Sequence, residues 1–224
     1  MEEALQLARA TRTITMIPGN GIGPEIAKEL IPLVSKATAM FGTSIIKWDV
    51  VPYGAVRAYA EGDTSVDNPL IASIHANGIA IKGPIDTPTG TGYRSVNVRL
   101  REQCRTFACV RPIRSLGANH RLAGVYPNVD IVIVRQNTEG LYTGLEATGD
   151  SPAGEELRAL IARHFGREFG SDARFGIKFY TPRETEAIIS FAFQYAWSHR
   201  RRKVTLLDKA NIQKVTDGLW LEIF

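Results

Sequence analysis

The stretch Thr13-Ile-Thr-Met-Ile-Pro-Gly-Asn-Gly-Ile-Gly-Pro-Glu25 decides how the chain is read. Thr13–Ile17 is short, β-branched and apolar, the profile of a buried strand. Gly19, Gly21 and Gly23 follow, where a backbone must turn tightly. Pro24 and Glu25 suit a first helical turn, since proline lacks a donor that turn does not use and glutamate meets the positive helix end. Beyond them Ile26, Leu30, Leu33, Val34 and Ala37 recur on one helical face. The chain thus opens as strand, glycine turn and helix. Gly19-x-Gly21 begins the dinucleotide fingerprint G-x-G-x-x-G, but Pro24 occupies the sixth position and breaks it. Asp49 lies near the distance of the ribose-binding acid of that motif, a one-residue match of little weight.

Working outward, Ile45–Val51 and Gly78–Ile81 read as strands and Pro69–His75 as a helix. Ser95–Gln103 and Glu184–Ser198 read as helices, the second with Ala187, Ile188, Phe191 and Tyr195 at helical spacing. Thr106–Val110, Ile131–Arg135 and Val204–Asp208 read as further strands. Alternating strands and helices predict an α/β fold with a largely parallel sheet. Residues 83–94 form a Gly/Pro/Thr loop, and 145–176 a less regular excursion rich in glycine and charge. Asp63 and Asp67 read as turn and cap residues. Ile212, Val215, Leu219 and Ile223 form one helical stripe running to Phe224, the mark expected of a chain cut inside a periodic element.

Composition narrows the class. The 224 residues are 44% hydrophobic and 22% charged, enough to bury a core of a soluble protein. The densest apolar run, Ile131–Val134, is far short of a membrane helix. Glu2 and Glu3 near the start do not fit a signal peptide. Cys104 and Cys109 are too few for a disulfide scaffold, which points to a reducing, cytoplasmic setting. The net charge of +4 is compatible with small anions. No metal-binding motif is visible, and no aromatic platform interleaves the basic residues as nucleic-acid binding would require.

The arginines carry the chemistry. Seven of them (94, 99, 101, 105, 111, 114 and 121) fall between Arg94 and Arg121 with one acid, Glu102, and Arg135 follows at a strand end. Guanidinium forks pair with carboxylate or phosphate through two hydrogen bonds. Asn97 and Arg101, four apart, share a helical face. Ser95 stands at the helix start, either as a plain N-cap or as a ligand where free N–H groups favour an anion. Val98 stands where a capping box would want Glu or Gln, so the cap is not reinforced. Each arginine alone is as readily a solvated surface charge, but the group together fits a small polyanion. Lys209 at a strand end suits a general base, and Tyr142 near arginines a general acid. The run His199–Lys203 complements a helix C-terminus or faces solvent.

These residues resemble the decarboxylating β-hydroxyacid dehydrogenases, the isocitrate and 3-isopropylmalate dehydrogenase family. The resemblance rests on Ile17–Glu25, Lys82-Gly-Pro84 with Thr87-Pro88, Ser95-Val-Asn97-Val-Arg-Leu-Arg101, Val110-Arg-Pro112, Arg135-Gln-Asn-Thr-Glu-Gly-Leu-Tyr142 and Asp208-Lys-Ala-Asn-Ile212. It spans about Thr13 to Leu221. It implies a fold that is not Rossmann: a large α/β domain begun by residues 1–106, a small α/β domain of 107–140 and 182–224, and a clasp arm of 141–181 that grips a second subunit. Both domains are expected to be incomplete here.

Within the family, the polar pattern at Ser95 and Asn97 resembles isocitrate enzymes, whereas isopropylmalate enzymes carry a glutamate and leucines there. The resemblance implies oxidative decarboxylation of isocitrate to 2-oxoglutarate and CO2, a tricarboxylic acid cycle step, with NAD or NADP and Mg2+ or Mn2+. Arg101, Arg111, Arg135 and Lys82 would meet substrate carboxylates alongside Ser95 and Asn97. Thr87 and Asn211 would lie at the nicotinamide end, Lys209 would serve as base from the partner of a homodimer, and Tyr142 would protonate the enol. Metal ligands and the adenine loop are expected beyond Phe224, so the chain alone is expected to be inactive. A tricarboxylate-binding regulatory subunit and a homoisocitrate- or tartrate-type dehydrogenase are the alternatives. Asn20, Gln136 and Asp208 depart from the usual aspartate, glutamate and histidine of the family.

Overall fold

A computed structural model describes residues 11–41, 45–87, 95–116 and 126–224. Pro88, Arg94, Arg121 and the second half of the 83–94 loop lie outside the described residues. The chain divides into two compact units, Met1–Cys104 and Arg105–Phe224.

In the first unit β1 (Thr11–Ile17) leads into α1 (Gly23–Met40), β2 (Ile45–Val50), α2 (Tyr53–Glu61), α3 (Pro69–Asn77), β3 (Ala80–Lys82) and α4 (Val96–Gln103). The strands form a parallel sheet in the order β2-β1-β3. Thr15, Met16 and Ile17 at the end of β1 are buried. Ile17, Val51, Val56, Tyr59, Leu70, Ile71 and Val96 form one cluster, each burial stabilising the fold by about 1.5–3 kcal/mol. Thr15 Oγ1 meets Ser73 Oγ at 2.7 Å, and Ser73 in turn donates to Asp49 at 2.6 Å. Asn77 Nδ2 also donates to Asp49. Asp49 therefore ties β2 to α3, which accounts for it without a ribose.

The glycine loop is welded to the segment after β3. Gly83 N–H donates to Ile17 O at 2.8 Å and Asn20 N–H to Pro84 O at 3.0 Å. Gly19 has φ +76°, and a Cβ there would sit 1.8 Å from the Pro84 carbonyl oxygen. Only glycine admits that approach. Two expectations for this unit change. Asn68, not Asp67, caps α3, its side chain accepting from Leu70 N at 2.9 Å. On α1, Ile26 and Leu33 are exposed while Gly23 and Ala27 are buried. Leu30, Val34 and Ala37 of the stripe are half-buried, and Gly23 lies so close to the glycine loop that a Cβ there would sit 2.0 Å from the Pro18 carbonyl oxygen.

In the second unit β4 (Ala108–Arg114) pairs antiparallel with β5 (Asp130–Gln136). β6 (Glu146–Thr148), α5 (Pro152–Phe165) and β7 (Arg174–Gly176) follow, with β6 antiparallel to β7. α6 (Pro182–Ser198) and α7 (Thr216–Ile223) close the chain. The largely parallel expectation thus holds only in the first unit. Residues 145–176 are more regular than expected. They hold the 14-residue helix α5, whose start is signed by Ser151, which accepts from Gly154 N, and by Pro152. The predicted strand Val204–Asp208 is irregular, with Leu207 89% exposed. No strand pairs with it among the described residues, and a strand without a ladder partner is not held. Only the end of the C-terminal stripe is helical, and Ile212 and Val215 are exposed on the turns before α7.

Candidate functional site

The β4–β5 register builds the first group. Cys109 lies opposite Arg135 and Arg111 opposite Ile133, so Arg111 and Arg135 are diagonal neighbours on one face. At the end of β5 the chain bends into a single 3-10 turn, Gly140–Thr143, that carries Tyr142. Arg135 donates from Nη1 to Tyr142 Oη at 3.0 Å, and its guanidinium lies 4.8 Å from the ring centroid. Arg135 Nη2 donates to Asn137 Oδ1 at 3.0 Å, while its Nε is buried without a hydrogen-bond partner among the described residues. Arg111 donates to Cys109 Sγ at 3.2 Å, and this bond, with the nearby Tyr142, raises its pKa. Two guanidinium groups and a phenol therefore share one patch, able to bind carboxylate and to present a proton donor.

Sequence reading missed the supports of this patch. Buried Glu139 accepts from Thr181 N at 2.8 Å and Thr181 Oγ1 at 2.6 Å, fixing the turn to the N-cap of α6. Gly140 N donates to Phe179 O at 3.1 Å. Gln136 is spent locally, accepting from Thr138 N and Glu139 N and donating to Thr138 Oγ1. Its side chain shapes the turn, and a glutamate could not make that last donation.

The second group lies on α4. Ser95 holds the N-cap position, yet its side chain caps nothing. Instead its hydroxyl accepts from Thr87 Oγ1 at 3.3 Å. Two residues on, Asn97 Oδ1 is buried with no hydrogen-bond partner among the described residues. A buried acceptor left unmade costs about 1–3 kcal/mol, so this oxygen calls for a donor. Lys82 Nζ donates to Gly83 O at 2.6 Å. Partial loss of water around that ammonium, then the nearby Arg101 charge, hold its pKa below the usual lysine value, although the residue as a whole is exposed. Arg101 thus shares a patch with Lys82.

The arginine cluster sorts itself by partner. Arg99 donates to the Tyr59 and Ala60 carbonyls at 2.9 and 3.3 Å, closing the end of α2. Arg114 and, from the His199–Lys203 run, Arg201 pair with Asp130 at 3.4 and 2.7 Å. These three are structural. Asn20 also has its reason. It donates to Asp86 Oδ2 and accepts from Asp86 N, both at 3.0 Å. An aspartate at position 20 would set two carboxylates against each other.

The third group is a turn. Lys209 O accepts from Ile212 N and Gln213 N at 3.0 and 2.9 Å. Lys209 and Asn211 are exposed. Asp208 accepts from Ala210 N at 2.8 Å, a turn role in which its carboxylate is satisfied. No hydrogen bond links Lys209 or Asn211 to Arg111, Arg135 or Tyr142 among the described residues. Among those residues no three His, Cys, Asp or Glu side chains gather to hold a metal ion. The Thr87 hydroxyl oxygen, its proton given to Ser95, fits the amide N–H of a carboxamide. No helix among the described residues is long and apolar enough to cross a membrane.

Residues 13–224 match the model of the family described as isocitrate/isopropylmalate dehydrogenase, and the chain belongs to that family. It is 36% identical over 211 residues to the probable isocitrate dehydrogenase [NAD] subunit alpha, mitochondrial, of Drosophila melanogaster, covering 94% of this chain and 48% of that protein. It is 34% identical to the isocitrate dehydrogenase [NADP] of Staphylococcus epidermidis, covering 92% and 50%. The crystal structure of isocitrate dehydrogenase from Methylococcus capsulatus superposes with a TM-score of 0.73 at 40% identity, covering 95% of this chain and 55% of that one. The fold is therefore the α/β fold of this family, and the chain spans about half the length of the curated relatives it matches.

Proposed function

We propose that the full-length protein oxidises and decarboxylates isocitrate to 2-oxoglutarate and CO2. The observation that carries this reading is the unspent polar face of α4. Ser95 does not cap its helix and Asn97 presents a buried, unpartnered oxygen. A further substrate carboxylate accepts from the Ser95 hydroxyl, which a hydrophobic substituent would leave without an acceptor, and a substrate hydroxyl donates to Asn97 Oδ1. The relatives' names support the same reaction.

In this reading Arg101, Arg111 and Arg135 clamp the substrate carboxylates, and Lys82 adds positive charge. Lys209, contributed by the second subunit of a homodimer, takes the C2 hydroxyl proton. Tyr142, its oxygen already accepting from Arg135, directs its own proton elsewhere and delivers it to the enol left by loss of CO2. Thr87 and Asn211 hold the nicotinamide end of the dinucleotide. When bound, NAD+ or NADP+ supplies the hydride acceptor, with a small preference for NAD in this proposal, and Mg2+ or Mn2+ the Lewis acid. We assign residues 1–106 to the large domain, 107–140 and 182–224 to the small domain, and 141–181 to the clasp, in a cytoplasmic enzyme.

The test is a spectrophotometric assay of the native-length protein with Mg2+ and each dinucleotide, offering isocitrate, homoisocitrate, tartrate and 3-isopropylmalate. Reduction of dinucleotide with isocitrate in clear preference is expected. Preference for 3-isopropylmalate, or none for isocitrate, refutes the assignment.

A further inference from the structure

Lys209 is exposed and sits on an irregular turn, and among the described residues its side chain makes no hydrogen bond or ion pair. What fixes it is its backbone. Asp217, buried at the start of α7, accepts from Lys209 N at 3.0 Å. The other oxygen of the same carboxylate accepts from Lys178 Nζ at 2.6 Å, with the two side chains only 8% and 20% exposed. Lys178 also donates to Gln213 Oε1, and its ammonium lies 5.0 Å from the Tyr180 ring centroid. Tyr180 stacks edge-on against Trp220 at 5.3 Å. Both ends of the 209–213 turn are therefore clamped onto one buried ion pair between residues 39 positions apart.

We infer that Lys178 and Asp217 are positioning residues for Lys209, an inference that rests on the proposed role of Lys209 as base. The pair holds the turn in one backbone geometry, so that the exposed lysine is carried to its proton acceptor position by a rigid platform. Breaking one member leaves a buried charge without its partner, which a purely local loop would not have to accommodate. A displacement of about 1 Å at a reacting group costs about 100-fold in rate.

The experiment uses native-length enzyme and the variants Asp217→Asn, Lys178→Met and Lys178→Arg. Asp217→Asn and Lys178→Met are expected to lower kcat with isocitrate by about 10- to 100-fold while leaving the isocitrate KM within about threefold. Lys178→Arg, which keeps the charge, is expected to recover most of kcat. Amide hydrogen exchange is read alongside, and loss of protection at the peptide holding Lys209 is expected in the first two variants. That readout needs no activity. Folded variants with wild-type kcat and wild-type protection would overturn the positioning role while leaving the functional reading intact. A wild-type enzyme inactive on isocitrate would overturn the functional reading, and with it the catalytic purpose assigned to the pair.

Discussion

Tyr59 offers the sharpest physical test of the first unit. It is fully buried in the core, and its hydroxyl donates to Gln103 Oε1 at 2.9 Å. Loss of water pushes its pKa up from 10.0 to about 12, against a smaller lowering by Arg99 and with further raising by Cys104 and Glu102. The fold therefore holds the neutral phenol more firmly than the unfolded chain does. That advantage is complete below about pH 10 and is lost as pH rises from about 10 through about 12. At about 1.4 kcal/mol per pH unit between the two values, the ceiling is about 2.7 kcal/mol. Its partner Gln103 is partly exposed, so screening reduces the expected loss to about 1–2 kcal/mol. Tyr59→Phe removes both the hydrogen bond and the titration. At pH 7 it should cost about 1 kcal/mol, and the gap between variant and wild type should close or reverse by about pH 12. Urea unfolding followed by fluorescence, with Trp48 on β2 reporting this unit, measures both proteins at stepped pH. A gap that stays constant from about pH 8 to 12 would refute the reasoning, because the buried hydroxyl would then not be the titrating group.

Ser95→Glu in the native-length enzyme sets a carboxylate against substrate carboxylates on α4. The kcat/KM for isocitrate should fall by about 1,000-fold or more, the scale for buried polar mismatch, and retained turnover would sink the substrate assignment. Tyr142→Phe should slow enol protonation more than hydride transfer in single-turnover experiments; equal slowing of both steps would remove Tyr142 from the acid role. Gly19→Ala forces a side chain into positive φ, at a cost of about 1–3 kcal/mol, and against the Pro84 carbonyl. It should lower the urea midpoint of the Trp48 transition well below that of wild type, and an unchanged midpoint would contradict the close loop approach.

Much of the fold was legible where neighbours in sequence are neighbours in space. The strand at Thr13–Ile17, the glycine turn and the helices at 95–103 and 184–198 follow from local periodicity and punctuation. The α4 face was legible for the same reason, since Ser95, Asn97 and Arg101 are within two helical turns. Elements whose identity depends on a distant partner were misread. Residues 204–208 have strand composition but no ladder among the described residues, and Ile26 and Leu33 of the α1 stripe, read with its buried face, are exposed. Helix α5 was missed although Ser151 and Pro152 mark its start, because the charge-rich segment behind them obscured the pattern.

The amino-acid sequence by itself determined the ordered motifs and the supply of arginines, because these depend on residue type and short spacing. Only the tertiary structure decided which arginines are spent on the fold, as Arg99 and Arg114 are, and which face Tyr142. The antiparallel register brings Arg111 beside Arg135, and the return of the chain from α6 to α7 lets Asp217 reach Lys178. Pairings of that kind are set by where the chain comes back upon itself, and no local pattern of residues encodes that return.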